Sequence, residues 1–422
     1  MTERLYQKDP YLVEFEAIAL SCEKDEKRDD SWKIVLDRSA FFPEGGGQPA
    51  DTGLLFYKTA GINPGAEPDP EGTCLSCRLG SEARIVEVSD AHERGKDIVL
   101  TCNDQIPAGG SVKGRINWTR RFEHMQNHSG EHIVSGLIHR RFGYNNVGFH
   151  MAEELMTIDL DGRMTEADMR EIEEKANRIV WKNVEIRTDY YTEEEAEKIE
   201  FRSKKELHGT ISVVTIPGAD VCACCGTHVR RTGEIGPIRL FSIHNFKNGV
   251  RIEMACGSWA LKFMTAVLEQ NHRISGLLSA KPLETADAVE RLLAESRSKE
   301  EKITEMNFRK IRELAEEAKA GENVLVFADT FRPQLLQRLT DSLMEATEGG
   351  LCAAFSENGK GGFHYAIGQR GGNLKELVSE MNAKLDGKGG GKPFFMQGNL
   401  TASKEEIRTF LKSRSGFSEM EV

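Results

Sequence analysis

The sequence predicts an α+β protein of several domains. Three observations carry that reading: 422 residues are too many for one hydrophobic core, the apolar periodicity switches from strand-like to helical and back, and strands alternate with helices over the last hundred residues. Hydrophobic residues make up 39% and charged residues 29%, with a mean hydropathy of −0.46, values of a folded globular chain rather than a disordered one. No stretch of 18 consecutive apolar residues occurs, so no membrane helix is expected. The opening residues, Met1-Thr2-Glu3-Arg4-Leu5-Tyr6, lack an apolar signal core, which predicts a cytoplasmic protein. The net charge of −11 excludes a chain that is basic throughout but not a local basic face. Nine cysteines, an odd number unevenly spread, fit metal ligands or buried thiols better than a disulfide framework.

Residues 1–118 read as β-rich. Tyr11-Leu12-Val13-Glu14-Phe15 and Lys33-Ile34-Val35-Leu36 have strand length and pattern, and a glycine block, Glu44-Gly45-Gly46-Gly47-Gln48-Pro49, follows Phe41-Phe42-Pro43. Residues 61–80, rich in Gly, Pro and acid, read as a loop insertion. Residues 119–257 form the next segment. Helical spacing covers 119–142 through Phe122, Met125, Ile133, Leu137 and Ile138, and a second, acidic helix over 165–182 places Met169, Ile172, Ala176, Ile179 and Val180 on one face. Short strands return over 210–257. Residues 258–320 are helix formers broken at Lys281-Pro282, a charged helical hairpin or coiled-coil spacer with Val289, Leu292, Leu293, Ile303, Met306, Ile311 and Leu314 as its apolar positions. Residues 321–422 alternate strand and helix and predict a small α/β domain, with Gly387-Lys388-Gly389-Gly390-Gly391-Lys392-Pro393 between its last two helices.

His128-Ser129-Gly130-Glu131-His132 sets two imidazoles one helical turn apart on one face, where both can reach one ion, and His124 continues that face. Alone, such a pair is as readily a pair of surface or core histidines. Cys224-Cys225-Gly226-Thr227-His228 adds a thiol and a third imidazole across a glycine-containing turn. Together His128, His132, Cys224 and His228 make a plausible zinc set, with one Zn2+ per chain. Cys222 and Cys225 are neighbouring thiols that could replace Cys224. Cys74-Leu75-Ser76-Cys77 is a further CxxC without a second pair nearby, read as loop thiols or a second zinc site.

The two pairs, within Cys-Gly-Thr-His-Val-x-x-Thr-Gly-Glu-Ile-Gly from Cys225 to Gly236, resemble the editing domain of alanyl-tRNA synthetase and its freestanding relatives, the AlaX trans-editing proteins. Phe41 to Gly53 is similar to that family's N-terminal barrel, Asn127-His128 fits as well, and Gly387 to Pro393 is similar to the glycine-rich tract of the synthetase's C-terminal domain. The resemblance touches most of the chain, with the motifs in fixed order, and the part after 258 resembles the long AlaX class. It departs at Cys225, where glycine is common, at Glu131, where many relatives carry a smaller residue, and at Cys222-Ala223, where an acidic residue often precedes the cysteine. These differences bear on pocket size and substrate preference.

The resemblance implies an N-terminal barrel-like domain over 1–118, a zinc-containing editing (deacylase) domain over 119–257, and a C-terminal tRNA-binding or dimerisation domain over 321–422. It implies hydrolysis of the ester on mischarged tRNA(Ala), carrying serine first and glycine second, by an enzyme acting in trans. An alanine pocket cannot exclude glycine and rejects an added hydroxyl only about 10²-fold, so a second hydrolytic site is needed. Gln48 is assigned to substrate or the attacking water, the alternative being a turn residue that caps the barrel loop, and Glu131 is a conceivable general base, although helix geometry need not aim it at the substrate. Gly45, Gly46, Gly47 and Asn127 belong to the substrate site, the glycines either approaching the substrate or forming a strained turn. Lys388, Gly389, Gly390, Gly391 and Lys392 contact tRNA, and a homodimer forms through the C-terminal domain. Local charge suits this: Phe201–Gly257 holds eight Lys/Arg against four Asp/Glu, and Lys360–Val422 ten against seven. Phe394 and Phe395 could stack on bases, although burial is the plainer reading. No GxxxxGK[ST] loop appears and nothing before residue 119 suits a class II aminoacylation core, so ATP use has no support. Two rivals stay open. One is a non-catalytic zinc-containing tRNA-binding protein. The other is a metalloprotease, because His128-x-x-Glu131-His132 satisfies the HxxEH pattern with Glu131 as base.

Overall fold

The computed structural model describes residues 1–422 apart from 27, 29, 59–82, 153, 204–208, 330 and 422. The insertion read over 61–80, Cys74 and Cys77 lie outside the described residues. The chain separates into two compact units, Met1–Asn271 and His272–Val422.

The first unit opens with a closed, antiparallel six-stranded barrel. Glu14–Lys24, Trp32–Leu36, Asp97–Cys102, Ala83–Arg94, Gly53–Lys58 and Ser111–Ile116 are neighbours in that order, and the last strand closes onto the first. The Glu14–Lys24 strand shows why: Phe15, Ala17 and Ala19 alternate inward, while Glu16, Ile18 and Leu20 face out. Phe41, Phe42, Leu55, Val86 and Leu100 complete the barrel core. The barrel expected from the resemblance is therefore present, and it shares a compact unit with the segment that follows it.

That segment is built on a 25-residue helix, Trp118–Phe142. Asn117 caps its start by accepting from the Arg120 amide at 3.2 Å, and Gly143, at φ +75°, ends it by donating to the His139 carbonyl. A four-stranded sheet runs in the order Ile238–Phe246, Gly249–Cys256, Met156–Leu160, Asn146–Met151. A three-stranded sheet runs Arg187–Tyr191, Ile211–Ile216, Asp220–Ala223. The acidic helix Glu166–Lys182 starts in a Thr165–Asp168 capping box and buries Met169, Ile172, Ala176, Ile179 and Val180, the face its spacing predicts. These pack with Ile133, Leu137, Ile158, Ile252 and Trp259 into one core.

Two small residues let the long helix approach its neighbours. A Cβ on Gly130 would stand 2.2 Å from Cys256 Sγ, and one on Gly136 would stand 2.5 Å from the Ala219 carbonyl oxygen. A buried ion pair fixes the helix to the barrel side: Arg121 Nε lies 3.1 and 3.0 Å from the two Asp51 oxygens, while its terminal nitrogens donate to the carbonyls of Pro10 and Ala40.

The spacer resolves into helices Gly257–Leu278 and Thr285–Glu317, interrupted around Lys281-Pro282 as expected. On the second, Ile311 and Leu314 are buried, whereas Val289, Leu292, Leu293, Ile303 and Met306 are exposed.

The second unit ends in a mixed six-stranded sheet of order Gly387–Lys392, Phe395–Leu400, Phe363–Gly368, Cys352–Glu357, Val324–Ala328, Ser418–Glu421. The last three are parallel neighbours and the others antiparallel. Helices Pro333–Ala346, Lys375–Lys384 and Lys404–Lys412 accompany it. The glycine tract read as a connection between the last two helices is instead an edge strand, paired from Gly387↔Leu400 to Lys392↔Phe395. Glycine is needed there because a Cβ on Gly389 would stand 2.2 Å from the Tyr365 hydroxyl.

Candidate metal centre

His128 and His132 rise from one face of the Trp118–Phe142 helix. Cys224 and His228 come from the turn after the Asp220–Ala223 strand. The four ligand atoms lie within 4.8 Å of one another, in a pocket where all three imidazoles are buried. The ring centroids are 5.3 Å apart for His128 and His132, 4.8 Å for His128 and His228, and 5.0 Å for His132 and His228. Cys224 Sγ lies 3.4 Å from His128 Nε2 and accepts from the Gly226 amide at 3.4 Å. Gly226 is required by the approach of His128, since a Cβ would stand 2.1 Å from its Cε1.

The second partners of the rings decide their tautomers. His128 Nδ1 sits 2.9 Å from Gln48 Oε1, an atom that can only accept, so Nδ1 carries the proton and Nε2 presents its lone pair to the cluster. His132 Nδ1 is 2.9 Å from Asp220 Oδ2, with the same consequence. The Arg202 guanidinium holds Asp220 in turn, Nε and a terminal nitrogen each at 2.8 Å from a carboxylate oxygen. Nε2 of His132 and Nε2 of His228 are buried without a hydrogen-bond partner, at a cost of about 1–3 kcal/mol each that a cation between them would remove. Three imidazole nitrogens and a thiol, held this closely and with lone pairs converging, fit a zinc ion.

The charge distribution agrees. Burial alone would raise the Cys224 thiol, but the fields of His128, His132 and His228 outweigh it and hold it well below the ordinary thiol range. Burial would lower His132, yet Cys224 and Asp220 hold it well above the ordinary imidazole range. Burial drives His228 down to about 4 against the pull of Cys224. Without an ion the cluster is therefore a thiolate held beside a protonated His132, and a bound zinc ion would take the place of that proton on Nε2.

Among the alternative thiols, Cys222 is buried within 4.8 Å of His132 and Asp220 but outside the four-residue cluster, and Cys225 is exposed. Gln48 is fully buried. Its Oε1 also accepts from the Thr227 amide at 3.2 Å, and its Nε2 donates to the Thr227 hydroxyl at 2.9 Å. These contacts make it a support for His128 and the Cys224–His228 turn.

Glu131 points away from the cluster. It is fully buried, and its Oε1 accepts from the Ser135 hydroxyl and from Asn146 Nδ2, both at 2.5 Å. Its Oε1 is thus engaged by Ser135 and Asn146 rather than by the metal-ligand side chains. Asn127 is also turned inward, donating to the Glu123 carbonyl and accepting from the Cys256 amide, each at 2.8 Å. It fastens the helix to the Gly249–Cys256 strand and does not face an open site.

Gly45 and Gln48 close a tight turn by exchanging backbone hydrogen bonds of 3.1 and 3.0 Å. Gly46 and Gly47 adopt φ of +62° and +85°, and Gly47 abuts Phe149, whose ring stacks on His128 at 5.4 Å. The glycine block therefore shapes the turn that delivers Gln48. Lys388 to Lys392 are exposed on the edge strand of the second unit, where Lys392 Nζ lies 5.8 Å from the exposed Phe394 ring, while Phe395 is half-buried. Sequence reading missed Asp220 and Arg202. The signal was a lone aspartate in Pro217-Gly218-Ala219-Asp220, four residues before Cys224, with nothing in its spacing that points to His132.

Both parts of the chain are similar to known proteins. Residues 211–253 match the threonyl and alanyl tRNA synthetase second additional domain, and residues 321–416 match the DHHA1 domain. The chain is 30% identical over 431 residues to an alanine–tRNA ligase of Pyrococcus abyssi, covering 97% of this chain and 43% of the ligase. It is 27% identical over 424 residues to the alanyl-tRNA editing protein AlaX-L of Pyrococcus horikoshii, covering 96% of each. The solved C-Ala domain of Aquifex aeolicus alanyl-tRNA synthetase aligns with 22% of this chain and 93% of that domain, at 25% identity and a TM-score of 0.20. The chain spans under half the length of the ligases it matches and nearly all of AlaX-L. On the two matched domains and this end-to-end similarity, the chain belongs to the AlaX-type alanyl-tRNA editing proteins.

Proposed function

We propose that the protein hydrolyses the ester linking a wrong amino acid to tRNA(Ala), acting in trans, with seryl-tRNA(Ala) its first substrate and glycyl-tRNA(Ala) its second. The observation that carries this reading is the buried cluster of His128, His132, Cys224 and His228 with two ring tautomers fixed by Gln48 and Asp220. When bound there, zinc supplies a Lewis-acid centre for the ester end of the substrate. The chain's residues do the rest. Cys224 and the three imidazoles hold the ion, Gln48 and Asp220 keep the rings aimed, and the Gly45–Gln48 turn sets Gln48 against Thr227. Lys388 and Lys392, exposed on the edge strand of the second unit, are the proposed contacts to tRNA, and this unit is also the proposed dimer contact.

Release of labelled amino acid from Ser-, Gly- and Ala-tRNA(Ala), by wild type and by Cys224→Ala, tests the reading. Serine or glycine should be released and alanine spared, with the variant at least 10²-fold slower. Binding of tRNA without any ester cleavage would make the non-catalytic tRNA-binding protein the better account.

A further inference from the structure

His128 is held at both ring edges and on its face. At one edge Nδ1 donates to Gln48 Oε1 at 2.9 Å. At the other, Cε1 lies against Gly226, where a Cβ would stand 2.1 Å away. Edge contacts limit the rotation of an imidazole about its Cβ–Cγ bond only loosely, because that torsion is broad. Such rotation swings the Nε2 lone pair off a bound ion. A contact on the ring face opposes it directly. Two rings stack on His128: His132, itself a ligand, at 5.3 Å and 25°, and Phe149, which is not a ligand, at 5.4 Å and 26°.

Phe149 is itself fixed from outside the cluster. Its strand, Asn146–Met151, pairs with Met156–Leu160 and sets Phe149 opposite Ile158. Gly47 packs against it so closely that a Cβ would stand 2.4 Å from Phe149 Cδ1 and 2.8 Å from its carbonyl oxygen. The glycine block thus reaches His128 by two routes, through Gln48 at the ring edge and through Phe149 at the ring face. An imidazole bound to a divalent cation is electron-poor, and the negative face of a phenyl ring favours it. The three imidazoles are buried and Phe149 is half-buried, so it is the exposed member of the stack.

We propose that Phe149 is a positioning residue of the metal centre: it sets the tilt of His128, and with it the direction of Nε2, as Gln48 sets the tautomer. The inference rests on the zinc reading of the cluster. It gives the glycine block a second task, seating the ring that seats His128.

The test uses the full chain with Phe149→Ala, Phe149→Leu and Phe149→Tyr. Zinc affinity is read by competition with a chromogenic chelator, and ligand geometry by the visible absorption of the cobalt-substituted protein. Phe149→Ala should weaken zinc about 10- to 100-fold, the usual effect of removing an outer partner of a metal-bound histidine. Phe149→Leu keeps apolar bulk in case Phe149→Ala fails to fold, and loss of the ring alone should weaken zinc about 3- to 10-fold. Both should shift the cobalt spectrum, while Phe149→Tyr, which retains the ring, should match wild type in both readouts. A merely structural ring would lower the urea midpoint of the metal-free chain and leave the cobalt spectrum of the folded protein unmoved. That result overturns the proposal, as does a loss in Phe149→Tyr equal to that in Phe149→Ala. If wild type binds zinc and neither Phe149→Leu nor Phe149→Ala changes its affinity, Phe149 has no such part and the centre stands. If wild type holds no zinc against the chelator, the zinc reading falls and the proposal with it.

Discussion

At the residue scale, the metal centre depends on groups that do not touch the ion. Asp220 orients His132 and is itself clamped by Arg202, so Asp220→Ala should lower zinc affinity 10- to 100-fold, measured by competition with a chromogenic chelator, with the rest of the fold retained. An unchanged affinity would mean that His132 needs no orienting partner. His124 supplies a pH signature. Burial pushes it down to about 3, helped by Arg120 and opposed by Glu123, with smaller contributions from Arg121 and His128. The folded state therefore holds it neutral, while the unfolded chain takes up a proton near pH 6.5. Its contribution to stability is complete above that pH and is lost as pH falls from 6.5 toward 3, with a slope of up to about 1.4 kcal/mol per pH unit. Urea unfolding between pH 7 and 4 should fall less steeply for His124→Leu than for wild type. Parallel slopes would show that His124 is not held neutral.

At the scale of elements, the site is a meeting of one helix with two turns, and glycines set the distances. Gly226→Ala places a methyl group against His128, so the variant should lose zinc, measured by metal content after gel filtration. Gly46→Ala meets no atom within 4 Å but must hold φ +62°, so it should keep zinc and lose only about 1 kcal/mol of stability. Equal metal loss in both would mean that backbone strain, rather than contact with His128, is what matters. The elements differ in how legible they were. The Glu166–Lys182 helix announces itself through its apolar spacing, because one face is buried and the other solvated. His128 and His132 were readable for a related reason: helical periodicity fixes their common face. The edge strand Gly387–Lys392 was not readable, because five of its six residues are exposed and glycine disfavours strands in isolation. Its pairing with Phe395–Leu400 and the tight approach of Tyr365 override local preference. The partners of Glu131, Ser135 and Asn146, were not legible in its five-residue pattern. Asp220 entered the site through a contact spanning 88 residues, which no local pattern encodes, whereas Gln48 was singled out by its glycine block and only its partner, His128, was not.

At the scale of the molecule, one unit carries the metal cluster and the other an exposed lysine- and glycine-rich strand edge. The barrel supplies Gln48, the helix supplies His128 and His132, and the turn after the three-stranded sheet supplies Cys224 and His228, so the centre forms only when the first unit is folded. The buried Arg121–Asp51 pair ties barrel to helix, which is how a loop near residue 48 stays aligned with a ring at residue 128. Metal dependence of the proposed reaction is therefore the property that joins fold to function. The most direct test is hydrolysis of seryl-tRNA(Ala) by the full chain after dialysis against a chelator and again after adding one equivalent of zinc. The account predicts activity lost on stripping, at least 10²-fold, and restored by zinc in wild type but not in Cys224→Ala. Full-rate hydrolysis by the stripped protein would contradict it.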